Sequence, residues 1–136
     1  MIVAGTWNAG AVSNVDNASQ AYNEAIQTQV TNKKVGLIAT YEFLYAAGSS
    51  CLGTSGYNYD SGCVANDWLK SSSHVWTLSP SSNNSNSALR VGSNGSVNYY
   101  IVGSSYEASP AVYLDSNITI TGGNGEIGET DSYKLG

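Results

Sequence analysis

Apolar positions change their period partway along the chain. In "ASQAYNEAIQTQV", Ala18, Ala21, Tyr22, Ala25, Ile26 and Val30 recur at three- and four-residue spacing, which predicts an amphipathic helix. Asp16-Asn17 just before it supplies cap residues. The apolar run in "KKVGLIAT" predicts a buried strand from Val35 to Ala39. "YEFLYAAG" predicts a short helix with Tyr41, Leu44 and Tyr45 on one side and Gly48 as its stop. "CVANDWLK" predicts another, with Trp68 and Leu69 facing inward and Ser71 to Ser73 ending it.

The second half alternates with period two. "HVWTLS" sets His74, Trp76 and Leu78 against Val75, Thr77 and Ser79, a strand with both faces partly covered. "ALRV", "SNG" and "SVNYYIV" read as a β-hairpin whose Asn94-Gly95 supplies the positive-φ residues of a tight turn. Alternation nominates Leu89, Val91, Val97, Tyr99 and Ile101 for the core and leaves Tyr100 exposed. "PAVYLD" is a further strand, and Pro110 at its first position costs no ladder bond. "NITI" and "GGNGEIGETDSYKL" read as a terminal hairpin, and "GTWNAG" as a short early strand around Trp7. Helices followed by antiparallel strands indicate an α+β fold, with two or three short helices and a mostly antiparallel sheet, in a single domain spanning 1–136. Trp7, Trp68, Trp76 and Leu78 are the expected core anchors.

Composition narrows the function. Charged residues are 11% of the chain, against about 25% in an average globular protein. Hydrophobic residues are 41%, with ten Tyr and three Trp, so the chain has the means to fold. With five basic residues and a net charge of −5, neither nucleic acid nor an anionic membrane surface is an expected partner. No apolar stretch reaches transmembrane length. Cys51 and Cys63 flank the Gly- and Tyr-rich "LGTSGYNYDSG"; a bridge closing that loop stabilises by roughly 2–3 kcal/mol, and the alternative is two free buried thiols. The bridge, few Lys and abundant Ser, Asn and Tyr favour an oxidising, extracellular setting.

Catalytic chemistry is sparse. His74 is the single histidine, and no nucleophile elbow accompanies it. Glu42, Asp60, Asp67, Glu107, Asp115 and Glu126 fall in different elements, so nothing selects a glycosidase-type pair and no catalytic residue is assigned. The acidic stretch from Gly122 to Asp131 would attract Ca²⁺ through oxygen ligands, but its spacing does not match an EF-hand, and a solvated turn is the preferred reading. No cofactor and no metal ligand are therefore assigned.

The order "GTW", "KVGLI", "YNYDS", "NDWL", "WTLSP", a Ser/Asn/Tyr-rich hairpin, "PAVYL" and "ITGGNGE" ahead of "YKL" resembles the C-terminal domain of certain Gram-positive bacterial surface proteins that begin with a prepilin-type anchor. The resemblance covers nearly the whole chain and is strongest from Lys34 to Leu135, with "NDWL" and "WTLSP" its most specific segments. It implies a C-type-lectin-like fold, similar to formylglycine-generating-enzyme-like domains and to the variable proteins of diversity-generating retroelements. It also implies an ectodomain separated from its N-terminal anchor. The family usually carries Arg where this chain has Ser109, and Asp-Pro or Asn-Pro where it has Asp131-Ser132, so no ligand role transfers to those positions.

Binding is the remaining chemistry. Tyr offers large contact area at low entropic cost, and Ser, Gly and Asn offer adaptable hydrogen bonds. Asn83, Asn84, Asn86, Arg90, Asn98, Tyr100 and Tyr106 are the expected ligand-binding residues, for a protein or glycan on another surface. The resemblance places them on the strand cluster where relatives bind. The rivals are a structural, pilin-like subunit whose polar face binds no ligand and, third, a carboxylate-dependent hydrolase. Pattern alone assigns no oligomeric state.

Overall fold

The structure is a computed structural model of the 136-residue chain and describes residues 1–13, 17–51, 61–123 and 134–135. The described residues form strands β1 (Ile2–Val3), β2 (Gly5–Asn8), β3 (Gln29–Lys33), β4 (Val35–Leu37), β5 (Val75–Pro80), β6 (Ser87–Val91), β7 (Val97–Ile101), β8 (Glu107–Ala108), β9 (Pro110–Leu114), β10 (Ile120–Gly122) and β11 (Lys134–Leu135). The helices are α1 (Ala18–Ala25), α2 (Thr40–Ala46) and α3 (Ser61–Asn66). The strands pair as β7-β6-β5-β8, β1-β9-β4, β2-β3 and β10-β11. All pairings are antiparallel except β5 with β8. The molecule is thus α+β with β-hairpins.

Helix α1 begins at Asn17, whose side chain accepts a 2.7 Å bond from the Gln20 N–H. Its Ala18, Ala21 and Ala25 are buried, so small side chains let it pack closely against α2. The helix expected to reach Val30 stops at Ala25. Gln29–Lys33 instead pair with β2, which draws Val30 out of the helical period and leaves it exposed. Asp16 and residues 52–60 of the segment between the two cysteines lie outside the described residues, as do Asp131-Ser132 and the acidic positions from Glu126 onward.

The N-terminus of α2 lacks a side-chain oxygen at Ala39, and two other groups stand in for it. The Glu42 carboxylate accepts the Ala39 N–H at 2.6 Å. Ser79 Oγ, from β5, accepts the Thr40 N–H at 3.0 Å. Thr77 completes the link, its hydroxyl donating to the Leu89 carbonyl at 2.8 Å and lying 3.3 Å from the Thr40 hydroxyl. The inner face of β5 is therefore Val75, Thr77 and Ser79, all buried. Gly48, at φ +96°, ends the α2 region as its backbone freedom allows.

This inner face corrects the expected core. Trp76 and Leu78 alternate away from it and are half-buried. Trp7 is buried, donating its indole N–H to the Lys33 carbonyl at 3.0 Å. Trp68 is 77% exposed. Helix α3 stops at Asn66, and Asp67 then nucleates a turn, its carboxylate accepting the Leu69 N–H at 2.9 Å. That turn directs Leu69 to the core and Trp68 to solvent. The core is built from Val12, Phe43, Leu44, Leu89, Val91 and Val97 with the three α1 alanines and both cysteines. Cys51 and Cys63 are disulfide-bonded, with Cα atoms 5.8 Å apart.

The Asn94-Gly95 hairpin forms as expected between β6 and β7. Gly95 takes φ +82°, and the Gly92 N–H donates to the Ser96 carbonyl at 2.7 Å. Val91 pairs with Val97 and Leu89 with Tyr99. Only the turn-proximal half of this face is covered, however: Tyr99 is 47% and Ile101 54% exposed, where a buried position was expected.

Candidate functional site

The register of the four-stranded sheet assembles the site. Trp76 on β5 pairs with Arg90 on β6, and Arg90 pairs with Asn98 on β7. Alternation puts Tyr100 on the same face, two residues beyond Asn98. Tyr106, between β7 and β8, closes over this row. Its ring centroid lies 5.4 Å from Tyr100, 5.2 Å from Trp76 and 5.2 Å from His74. The Arg90 guanidinium carbon sits 5.0 Å from the Tyr100 ring centre and 4.9 Å from that of Tyr106. One cation thus lies against two aromatic rings, a cation–π arrangement strengthened by the loss of water around it.

The polar atoms of this row are incompletely satisfied. Nε and Nη1 of Arg90 and Oδ1 of Asn98 are buried without a hydrogen-bond partner among the described residues. Buried polar atoms are nearly always paired, and an unpaired one is an unusual feature of a sheet face.

Beside the row is an open pocket of about 510 Å³, lined by Ser72, Ser73, His74, Ser93, Ser105, Tyr106 and Glu107. Three separate segments build it. The His74 carbonyl accepts the Glu107 N–H at 3.0 Å, which fixes the Tyr106–Glu107 segment beside β5. His74 Nδ1 accepts the Ser93 N–H at 3.0 Å, which ties in the hairpin turn. That bond requires an unprotonated Nδ1 and places the ring proton on Nε2. No serine hydroxyl is bonded to His74 among the described residues, so the pocket shows no nucleophile–base pair. Nor, among the described residues, do three or more His, Cys, Asp or Glu side chains gather in a way that would hold a metal ion.

Four of the seven expected ligand-binding residues, Arg90, Asn98, Tyr100 and Tyr106, meet here. The other three lie in the β5–β6 connection. Asn83 is a tether, its Nδ2 donating to the Ser13 carbonyl at 3.2 Å. Asn84 lines a separate depression with Tyr99, Tyr100 and Ile101. Asn86 accepts the Ser87 hydroxyl through its side chain at 3.2 Å and the Val102 N–H through its carbonyl at 3.0 Å. Sequence reasoning did not place His74, Trp76, Ser93 or Glu107 at the site. The parallel β5–β8 pairing brings Glu107 there, and no local pattern announces such a long-range contact.

Among the described residues, two phenols have a pKa raised above the ordinary tyrosine value. Burial pushes the Tyr106 hydroxyl above the ordinary tyrosine value of 10.0, a side-chain hydrogen bond with Tyr100 and that residue's charge add to this, and Arg90 opposes it. Burial likewise raises Tyr41, against the opposing 2.9 Å bond from Asn8 Nδ2. A pKa raised on folding means that the native state holds the proton more tightly. The resulting stabilisation is full below pH 10.0, the unfolded value, and is lost as pH rises through the folded value. A spectrophotometric titration is expected to show a late-ionising tyrosine class, and Tyr106→Phe is expected to remove one phenol from it. Unchanged late absorbance in that variant would place Tyr106 in ordinary solvent.

No family model, curated protein or solved structure matches this chain.

Proposed function

We propose that this chain is a non-enzymatic, extracellular recognition domain of a bacterial surface or pilus-like protein, C-type-lectin-like in fold, and that it binds a protein or glycan through the outer face of the β7-β6-β5-β8 sheet. The observation that carries this reading is the convergence of Arg90, Asn98, Tyr100 and Tyr106 around unpartnered buried polar atoms, next to the pocket at His74. Aromatic and Arg side chains dominate the energetics of binding surfaces, and polar groups held without partners have affinity in reserve for a ligand. The sequence resemblance supports the lectin-like fold, the surface location and the likeness to retroelement-diversified variable proteins. The Cys51–Cys63 disulfide is consistent with an oxidising compartment, and no helix among the described residues is long and apolar enough to cross a membrane.

The test is a binding screen against immobilised glycans and cell-surface proteins. Tyr106→Ala is expected to weaken a captured ligand roughly 10- to 100-fold, as removal of a central aromatic anchor does. Trp68→Ala, which alters a different pocket bordered by Val75 and Val91, is expected to leave it unchanged. Equal binding by the wild type and the Tyr106→Ala and Tyr100→Ala variants would exclude this face.

A second reading has its own observation. Ile2, Val35, Val112, Tyr113 and Leu114 on the β1-β9-β4 sheet are exposed, and so are Ile120 and Leu135 on β10-β11. Apolar side chains clustered on one sheet suit a subunit that packs in an assembly. Concentration-dependent self-association, abolished by Val112→Lys, would favour that structural role.

A further inference from the structure

Arg90 is the chain's single arginine, and it carries no ion pair among the described residues. Its Nε and Nη1 donors are buried and unpaired, and its neighbours are rings rather than carboxylates. Unpaired charged donors cost more than neutral ones, and aromatic faces offset that cost only in part. The guanidinium fork matches carboxylate and phosphate groups bidentately, and the chain's net charge of −5 favours the singly charged carboxylate of the two. On the paired residue of the next strand, Asn98 Oδ1 is an unpaired acceptor, suited to a hydroxyl group.

Resting on the recognition reading above, we infer that the site takes a sugar bearing one carboxylate, with Arg90 pairing to the carboxylate and the Tyr106 ring turning off the guanidinium to lie against the sugar. The adjoining pocket supports a sugar, because Ser72, Ser73, Ser93 and Ser105 line it and Glu107 adds an acceptor for hydroxyl donors. The net charge of −5 disfavours a polyanion, which the rest of the surface would repel. Only the Tyr106 side chain has to turn, because the Glu107 N–H to His74 carbonyl bond keeps its backbone beside β5. The guanidinium carbon lies 5.0 Å from the Tyr100 ring centre and 4.9 Å from that of Tyr106, so turning the Tyr106 ring uncovers one side of it.

The test is calorimetric titration of the intact chain with three probes: a glucuronate-terminated disaccharide, its glucose-terminated counterpart, and a tripeptide with a free C-terminal carboxylate. The acidic disaccharide is expected to bind roughly tenfold or more tighter than the neutral one, the worth of a charge-assisted hydrogen bond. Arg90→Gln is expected to erase that preference, so that the variant binds the two disaccharides equally. Asn98→Asp is expected to erase it as well while raising the melting temperature, because the new carboxylate would pair with Arg90 inside the protein. That variant keeps the test valid if Arg90→Gln folds poorly. Equal binding of both disaccharides, still lost in Tyr100→Ala, overturns the carboxylate assignment and leaves the recognition reading standing. Tighter binding of the tripeptide overturns the sugar assignment. A preference that survives both variants, or no binding of any probe, overturns the inference; the recognition reading itself then stands or falls on the broader screen.

Discussion

Phe43→Ala is expected to destabilise the protein by about 3–5 kcal/mol, the range for removing a fully buried aromatic side chain. Phe43 is 0% exposed and lies in the cluster where α1, α2 and the inner sheet face meet. The alanines of α1 already pack against α2 with minimal side chains, so they have no atoms with which to fill the void. A cavity that neighbours cannot occupy loses dispersion contacts as well as transfer energy. The measurement is urea unfolding, with a lowered midpoint at unchanged slope. Trp68→Ala serves as the contrast: with 77% of its surface exposed, its loss is expected to move stability by no more than about 0.5 kcal/mol. Comparable losses at the two positions would mean that the turn after α3 is wrongly oriented.

Replacing both cysteines by alanine is expected to cost about 3 kcal/mol. The bridge spans a sequence separation of 12, and loops of that size give this value on chain-entropy grounds. Both sulfurs also sit inside the core cluster, so the bridge is packed as well as covalent. It fastens α3, through Cys63, to the segment that follows α2. Val64 of α3 in turn lies close to Gly95, at the tip of the β6–β7 hairpin. Loss of the bridge is therefore expected to loosen the hairpin turn that carries Ser93 into the pocket. Thermal unfolding with and without a reductant measures this directly. An unchanged melting temperature under conditions that free two thiols would contradict the account.

The parts of the fold written in local patterns were legible. Asn17 caps α1, Gly48 stands at the end of α2, and Asn94-Gly95 turns the hairpin, because each depends on a few adjacent residues. Alternation also put Leu89, Val91 and Val97 in the core and left Tyr100 exposed, as the structure has them. Errors arose where distant pairing overrode local preference. The residues after Ala25 have helical spacing, yet β2 takes them as a strand partner. Trp76 and Leu78 were expected in the core, but Thr77 and Ser79 hydrogen-bond with Thr40 at the start of α2 and occupy the inner face of β5, which turns Trp76 outward. That inversion is what brings Trp76 to the site. Tyr99 and Ile101 follow the inward alternation on a stretch of β7 that no element covers, and coverage is a tertiary property that periodicity does not encode.

The binding face is the central claim, and Tyr106 is its hub, touching His74, Trp76 and Tyr100 and lying against Arg90. The most direct measurement is the affinity of wild type and Tyr106→Ala for whichever surface glycan or protein the screen captures, with circular dichroism confirming that both are folded. The account predicts a loss of roughly 10- to 100-fold on substitution. Undiminished affinity in the folded variant would contradict it.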